Sequence, residues 1–197
     1  MTGYVGIDPS ITNTGIVILG EDGGLLGCAN SRAADDKRLE PILRYGRISE
    51  AVVDAMFDVT RGSGYATLIV GYEDYSFGSV HRSFALAEFG GILKKSLYDA
   101  GVKSIQLFAP TWNKKFATRD GMASKERMQE QAMRECPAIA ALPRGESTSD
   151  VCDAYFLAKA AWYAGEAADA IVRCETNKAL LRSRLEMMKE WKKAKAA

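Results

Sequence analysis

The sequence predicts an α/β domain built on a mixed five-stranded sheet, with three antiparallel strands followed by two parallel ones and helices on its faces. Three apolar runs near the N-terminus are joined by short turns, so they are expected to pair as antiparallel neighbours. Two later apolar runs are separated by segments of helical periodicity, which favours parallel pairing. With 197 residues, 47% hydrophobic and 26% charged, the chain has an ordinary globular composition and can bury a real core.

The N-terminal residues 3–19 are predicted to form a β-hairpin. Val5 and Ile7 alternate with small residues in a first strand that ends at Asp8. Turn-forming residues follow, and the apolar run 15–19 is the second strand. Asp8 therefore stands at the tip of the hairpin. There it either caps its own turn or, with nearby backbone N–H groups, binds a divalent cation or a phosphate.

The middle of the chain alternates strands with helices. Three more strands are predicted over 24–29, 67–72 and 103–108. The run 67–72 is continuously apolar, as in a strand buried on both faces, and it ends at Glu73. Helices are predicted over 41–59 and 83–100. Their apolar positions include Ile42, Leu43, Ile48, Val52, Met56 and Val59 in the first and Phe84, Leu86, Ala87, Phe89, Ile92, Leu93 and Leu97 in the second.

The C-terminal part is predicted to be helical. Three hydroxyl residues are expected to be the N-caps of successive helices: Thr111, Ser124 and Ser149. The first two helices carry the basic residues Lys114, Lys115 and Lys125. We predict one domain over residues 1–170, followed by a basic helical extension of the same domain over 171–197.

Several classes of protein are disfavoured by the composition. No apolar run approaches the roughly 20 residues of a membrane span, and no signal peptide is evident, so a soluble cytoplasmic protein is expected. The four cysteines are scattered and His81 is the only histidine, which argues for reduced thiols and against a zinc site. The net charge of +1 neither requires nor excludes nucleic acid as a partner.

Four carboxylates are predicted to converge. Asp8 and Glu73 follow the C-terminal ends of strands, the edge at which open α/β sheets bind ligands. Asp150 and Asp153 lie three residues apart in the first turn of a helix, hence on one face. Each has an ordinary alternative as a cap or a solvated acid. Clustered carboxylates need a counter-charge, and Mg²⁺ is the natural one; two such ions about 4 Å apart can hydrolyse a phosphodiester.

Three segments, in order, resemble the RuvC family of Holliday-junction resolvases, which has the RNase H-like (retroviral integrase-type) fold. They are Gly6-Ile7-Asp8-Pro9-Ser10 with the turn 12–15, Val70-Gly71-Tyr72-Glu73, and Asp150-Val151-Cys152-Asp153-Ala154. The resemblance covers residues 3–165. Ser10 replaces the glycine usual in the bacterial enzymes, and the run 73–78 and the pair Arg82-Ser83 look more like viral (phage or poxvirus) branches.

The resemblance implies a crossover junction endodeoxyribonuclease of DNA recombination and repair, in a bacterial or phage-infected cell. It would act as a homodimer on branched DNA, with two Mg²⁺ ions per site and Mn²⁺ as a substitute, and leave 5′ phosphates and 3′ hydroxyls. The implied metal-binding catalytic acids are Asp8, Glu73, Asp150 and Asp153. Lys125 is implied as a further catalytic residue, and the implied DNA-binding residues are Tyr75, Phe77, Arg82, Lys114, Lys115 and Lys125. Tyr75 and Phe77 are alternative candidates for an aromatic wedge in the junction.

Three other functions stay open at this point. An ATP-binding phosphotransferase of the actin and sugar-kinase type also opens with an acid-tipped hairpin, although this chain is short for a two-domain clamp. A non-catalytic branched-DNA-binding module would keep the fold without the chemistry. An RNase H-type nuclease would use similar acids on an RNA–DNA hybrid.

Overall fold

The computed structural model describes residues 1–31, 38–61, 64–65, 67–74, 83–141 and 148–166. Its strands are β1 (Thr2–Asp8), β2 (Thr14–Leu19), β3 (Leu25–Ser31), β4 (Thr67–Glu73) and β5 (Ser104–Phe108). Its helices are α1 (Pro41–Thr60), α2 (Ser83–Asp99), α3 (Pro110–Thr118), α4 (Lys125–Glu135) and α5 (148–166), with a short 3₁₀ helix at Pro137–Ala141.

The five strands form one sheet in the order β3-β2-β1-β4-β5. The pairs β1–β2 and β2–β3 are antiparallel, whereas β1–β4 and β4–β5 are parallel. The first three strands are joined by short turns, which permit only antiparallel neighbours, and helices connect the parallel strands. The predicted fold class, a mixed sheet of three antiparallel and then parallel strands flanked by helices, is therefore confirmed.

The two faces of the sheet have separate cores. On one face, strand residues such as Val5, Ile7 and Val70 pack with α1 and α2 around Phe89 and Leu93. The other face packs against residues of the 3₁₀ helix, α3, α4 and α5, with small side chains prominent: Ala117, Ala132, Ala154, Ala158 and Ala161. Because side chains alternate along a strand, β1, β2, β3 and β4 each contribute to both cores.

Three of the apolar positions in the predicted helices are exposed. Ile42 and Leu43 in the first turn of α1 are 62% and 59% exposed, and Phe84 in the first turn of α2 is 82% exposed. In α1 the buried stripe begins only at Tyr45, so the first turn precedes the contact with the sheet. Apolar spacing identified both helices, but it could not show where each one starts to pack.

One of the three predicted N-caps is confirmed. The side chain of Ser124 accepts a hydrogen bond from the backbone N–H of Arg127, as an N-cap should. Thr111 is not a cap, because α3 begins one residue earlier with Pro110 at its first position and Ala109 as N-cap. Ser149 is not a cap either, since residue 148 is already helical; its hydroxyl bonds the Asp150 carboxylate instead.

The chain divides into two compact units, Met1–Trp162 and Tyr163–Ala197. Of the second unit only residues 163–166 are described, as helix. The predicted boundary at residue 170 and the basic extension over 171–197 lie outside the described residues. None of the described helices is long and apolar enough to cross a membrane. Cys28, Cys136 and Cys152 are free thiols, and burial raises the pKa of Cys152 to about 12.

Candidate active site

Asp8 and Glu73 are brought together by strand register. Gly6 pairs with Gly71 across the parallel β1–β4 ladder, and Ile7 pairs with Tyr72. The next position on each strand is an acid, so the two carboxylates stand on neighbouring strands, whose backbones lie about 4.8 Å apart. Each acid follows a glycine by two residues and therefore points to the same face of the sheet as that glycine.

Glycines on that face allow α5 to lie directly against the sheet. A Cβ atom on Gly6 would stand 1.8 Å from the carbonyl oxygen of Ala154, and one on Gly71 would stand 2.2 Å from that of Leu157. A Cβ on Gly15 of β2 would stand 2.2 Å from the carbonyl oxygen of Asp150. Such contacts exclude any side chain. The helix thus crosses β2, β1 and β4 with its backbone against theirs.

This close packing places the first turns of α5 beside the acids of the sheet. Asp150 lies over Gly15, which pairs with Asp8 in the β1–β2 ladder. Asp153 is one helical turn further on, and its charge acts on both Asp8 and Glu73. The four carboxylates predicted to converge are therefore assembled at one edge of the sheet.

Two asparagines hold this arrangement. Asn13, buried in the turn after β1, donates from Nδ2 to Asp150 Oδ2 at 2.6 Å and to Asn30 Oδ1 at 3.2 Å. Asn113, on α3 and 1% exposed, donates from Nδ2 to the backbone carbonyl of Asp153 at 3.3 Å. The first links α5 to the hairpin and the second links it to α3.

The environment of Asp8, Glu73 and Asp153 disfavours the charged forms of these three carboxylates. Burial raises the pKa of Asp8 well above its usual range, and the negative charges of Glu73 and Asp153 raise it further. Burial, followed by the charge of Asp153, raises the pKa of Glu73 to about 7. Burial is also the main cause that raises the pKa of Asp153 to about 6. The cluster therefore resists carrying four negative charges at neutral pH.

Two lysines partly offset these shifts. The ammonium of Lys125, at the start of α4, lowers the pKa of Asp8, Glu73 and Asp153, although burial outweighs it in each. Lys114 on α3 acts in the same direction on Glu73 and Asp153. Lys115, its neighbour, lines a cavity with Trp112 and Phe116. The structure thus separates the two lysines that the sequence could not distinguish.

The donor set fits a hard divalent cation. Within the described residues no group of three or more histidine, cysteine, aspartate or glutamate side chains is arranged so that it could hold a metal ion. The chemistry is nevertheless suitable, because carboxylate oxygens are the ligands that Mg²⁺ and Mn²⁺ prefer. A cation would also relieve the repulsion that raises the pKa values of Asp8 and Glu73.

Other predicted site residues cannot be placed. Tyr75, Phe77 and Arg82 lie outside the described residues, so the aromatic wedge and this arginine stay predictions. Conversely, sequence analysis treated Asn13 only as a turn residue and did not single out Asn113. The pairs Gly6–Asp8 and Gly71–Glu73 were a usable signal, since a glycine two residues before a strand-end acid marks the face on which a helix packs closely.

Similarity to known proteins lies in the fold. No protein-family model matches the sequence, and neither does any curated protein sequence. Among solved structures, the chain is similar to Thermus thermophilus RuvC, with a TM-score of 0.58 and 21% identity over 84% of this chain and 96% of that one. It is also similar to T. thermophilus RuvC in complex with Holliday junction substrate, with a TM-score of 0.59 and 19% identity over 83% and 95%. The chain therefore has the RNase H-like fold of RuvC, as the sequence motifs predicted.

Proposed function

We propose that this protein is a metal-dependent endonuclease that resolves four-way DNA junctions. The observation that carries the proposal is the assembly of Asp8, Glu73, Asp150 and Asp153 at the C-terminal edge of the sheet, where burial and mutual repulsion raise the pKa values of Asp8, Glu73 and Asp153. Support comes from the fold shared with RuvC, one structure of which contains a Holliday junction substrate. The assignment to a viral branch remains a hypothesis based on local sequence pattern.

The four carboxylates would hold two Mg²⁺ ions, with Mn²⁺ as a substitute. When bound, these ions supply an activated water and stabilise the charge that develops on the departing oxygen. Asp8 and Glu73 come from rigid, paired strands, and Asn13 orients Asp150 through its carboxylate. Backbone packing and a side-chain hydrogen bond thus restrict where these three proposed ligands stand.

The two lysines that face the acids would position the scissile phosphate. Among the described residues, Lys114 and Lys125 act on the carboxylates with positive charge, so a phosphodiester bound there meets positive charge from two helices. Hydrolysis adds one water across the P–O3′ bond: the hydroxyl ends on phosphorus as a 5′ phosphate, and a proton ends on the 3′ oxygen. Symmetric resolution needs two such sites, which a two-fold homodimer would supply.

Cleavage of a synthetic four-way junction tests the proposal. Wild type in Mg²⁺ is expected to make paired nicks in the junction and to leave a matched linear duplex uncut, with the activity lost in EDTA. Asp8→Asn should lose at least about 100-fold in cleavage rate while still binding the junction. Asp99→Asn is the matched control, because Asp99 is an exposed acid paired with Lys95 at the end of α2.

Other outcomes would replace the proposal. Equal cutting of junction and duplex would indicate a general nuclease, and preferential cutting of an RNA–DNA hybrid would indicate an RNase H-type enzyme. Tight junction binding without cleavage in Mg²⁺ or Mn²⁺ would indicate a binding module. Stabilisation by ATP without any DNA binding would favour the phosphotransferase.

A further inference from the structure

The outer face of α2 carries a regular stripe of exposed residues. The buried residues Phe89, Leu93 and Leu97 lie on the opposite side of the helix, against the sheet. Five exposed positions follow one another at alternating intervals of four and three residues, which is the spacing of the contact seam between two packed helices. They form what we call the α2 stripe: Phe84, Glu88, Gly91, Lys95 and Tyr98.

The α2 stripe has an aromatic residue at each end and no side chain at its middle. Phe84 is 82% exposed and Tyr98 is 53% exposed, and large apolar side chains grouped on one exposed face mark an interaction surface. At the midpoint, a Cβ atom added to Gly91 would meet nothing within 4 Å. A glycine inside a helix costs about 1 kcal/mol relative to alanine. At this position it leaves room for another helix to come close.

Two copies of the stripe are complementary when they run antiparallel. With a rise of about 1.5 Å per residue, Phe84 lies about 10.5 Å before Gly91 along the helix, and Tyr98 lies as far after it. Glu88 lies about 4.5 Å before Gly91, and Lys95 about 6 Å after it. A two-fold axis at Gly91 therefore brings Phe84 level with Tyr98 of the partner subunit. The same axis brings Glu88 level with Lys95 of the partner subunit.

Charge favours a second copy of this chain over DNA as the occupant of the stripe. The stripe has one acid and one base, so its net charge is zero. A phosphate backbone would meet Glu88 near the middle, whereas a second copy offers Lys95 there. Lys95 donates to both carboxylate oxygens of Asp99, at 2.7 and 2.5 Å. Because an ammonium has three donors, one is left for Glu88 of the partner subunit.

The neighbouring helix α1 extends the apolar surface. Ile42 and Leu43 in its first turn are 62% and 59% exposed. The rings of Tyr45 and Phe89 lie 5.9 Å apart, so the first turns of α1 and α2 are at the same end of the helical layer, where Phe84 also stands. A two-fold interface uses this patch twice. Its area adds to the α2 contact toward the roughly 1,000 Å² that a stable dimer buries.

We propose that this face is the homodimer interface, with the two α2 helices packed antiparallel about Gly91. The inference goes beyond the proposed function, which calls for two active sites without saying which surface joins them. It rests on that function only for the expectation that two copies pair. Alanine would also fit where helix axes cross about 8–10 Å apart, so the midpoint excludes large side chains rather than every side chain.

The test measures self-association of the full chain by sedimentation velocity over a range of concentrations, in EDTA and without DNA. Wild type is expected to form a dimer. Gly91→Arg should raise the dissociation constant of the dimer at least about 100-fold, because a long charged side chain would stand where the two helices cross. Phe84→Asp should raise it at least about tenfold, because the introduced charge would face the ring of Tyr98 of the partner subunit.

Charge reversal tests the register of the two helices. Glu88→Lys and Lys95→Glu each place like charges opposite one another, and a two-fold interface contains each pair twice, so each variant should raise the dissociation constant about tenfold. The double variant restores opposite charges and should return to within about threefold of wild type. Glu130→Lys, a charge reversal at an exposed position of α4, is the matched control and should leave the constant unchanged. Thermal unfolding of each variant confirms that it is folded.

The outcomes distinguish this inference from the proposed function. A monomeric wild type, or a dimer that no variant of the stripe weakens, would overturn the interface even if the protein cuts junctions. Weakening by both single reversals without rescue in the double variant would overturn the antiparallel register. Tighter junction binding by Glu88→Lys with an unchanged dimer would overturn the interface in favour of DNA on this face. Rescue by the double variant in a protein that never cuts a junction would support the interface and reject the resolvase.

Discussion

The two faces of the sheet are packed in different ways. The face toward α1 and α2 is filled with large side chains, and Phe89 and Leu93 are fully buried there. On the face toward α5, Gly6 and Gly71 leave no space between strand and helix backbones. The first face can exchange one apolar side chain for another with modest repacking. The second tolerates no added atom at its glycines.

The two kinds of packing have different consequences for the stability of the fold and for the geometry of the site. On the α1–α2 face, the burial of large apolar side chains contributes hydrophobic free energy of folding. Close backbone contact on the α5 face supplies less of it, but it determines where Asp150 and Asp153 stand relative to Asp8. Repulsion among these carboxylates and their burial act against folding. We therefore expect substitutions on the two faces to differ in kind as well as in size.

The largest effect is expected for Gly6→Ala. The added Cβ would stand 1.8 Å from a backbone oxygen of α5, and only displacement of the helix could relieve that clash. The free energy of unfolding should fall by more than about 4 kcal/mol, with loss of metal binding, in chemical denaturation and metal titration. Gly91→Ala is the control: Gly91 is exposed on α2 with nothing within 4 Å, so the same change should stabilise by about 0.5–1 kcal/mol. Equal effects of the two would refute the close-packing argument.

On the face toward α1 and α2, Leu93→Ala should have the largest effect on stability. Leu93 is fully buried, so its truncation removes apolar contacts and leaves a cavity, at a cost of about 2–5 kcal/mol. Because this core lies on the face of the sheet away from α5, the variant that remains folded should bind metal like wild type. Leu107→Ala, at a position 49% exposed, should change stability by less than about 0.5 kcal/mol. Weakened metal affinity in folded Leu93→Ala would show that the faces are coupled.

Glu73→Gln should stabilise the metal-free protein at high pH. The pKa of Glu73 rises from 4.5 to about 7 on folding, so the folded state binds the proton more tightly than the unfolded state. Its contribution to stability is therefore fully present below pH 4.5 and is lost as pH rises through about 7. At pH 8 in EDTA the variant should gain on the order of 3 kcal/mol over wild type, and near pH 4 almost nothing. Glu50→Gln, at an exposed position of α1, is the control and should show no gain of this size.

The smallest effect is expected for Asn13→Ala. The change removes a hydrogen bond of 2.6 Å to the carboxylate of Asp150, so we expect a loss of about 1–2 kcal/mol in the free energy of unfolding. Metal affinity should fall about tenfold, because the carboxylate loses its orienting partner. Calorimetric titration with Mn²⁺ measures it. Thr12→Ala, at the exposed neighbouring position in the same turn, is the control, and a loss of affinity there would assign the effect to the turn as a whole.

Strand and helix positions followed from local pattern. Three local patterns each predicted an element that the structure contains. They are the alternation of apolar residues in 3–19, the continuous apolar run before Glu73 and the N-cap at Ser124. The exposure of Ile42, Leu43 and Phe84 could not be predicted from the sequence. A helical apolar stripe shows which side of a helix is apolar, but not how far along the helix the sheet extends. Asn113 was missed for a related reason: its partner is a backbone carbonyl 40 residues away.

The chain alone specified the fold class, the four acids and their places at strand ends and in the first turn of a helix, since these depend on periodicity and on residue type. Tertiary structure decided how the parts meet. It placed Gly6 and Gly71 in register under α5. It also placed Lys114 where its charge acts on Glu73, and Lys115 in one cavity with Trp112. A hydrogen bond joins Asn13 to Asp150. Contacts between residues distant in sequence depend on packing that no local pattern records, and they determine the shape and charge of the site.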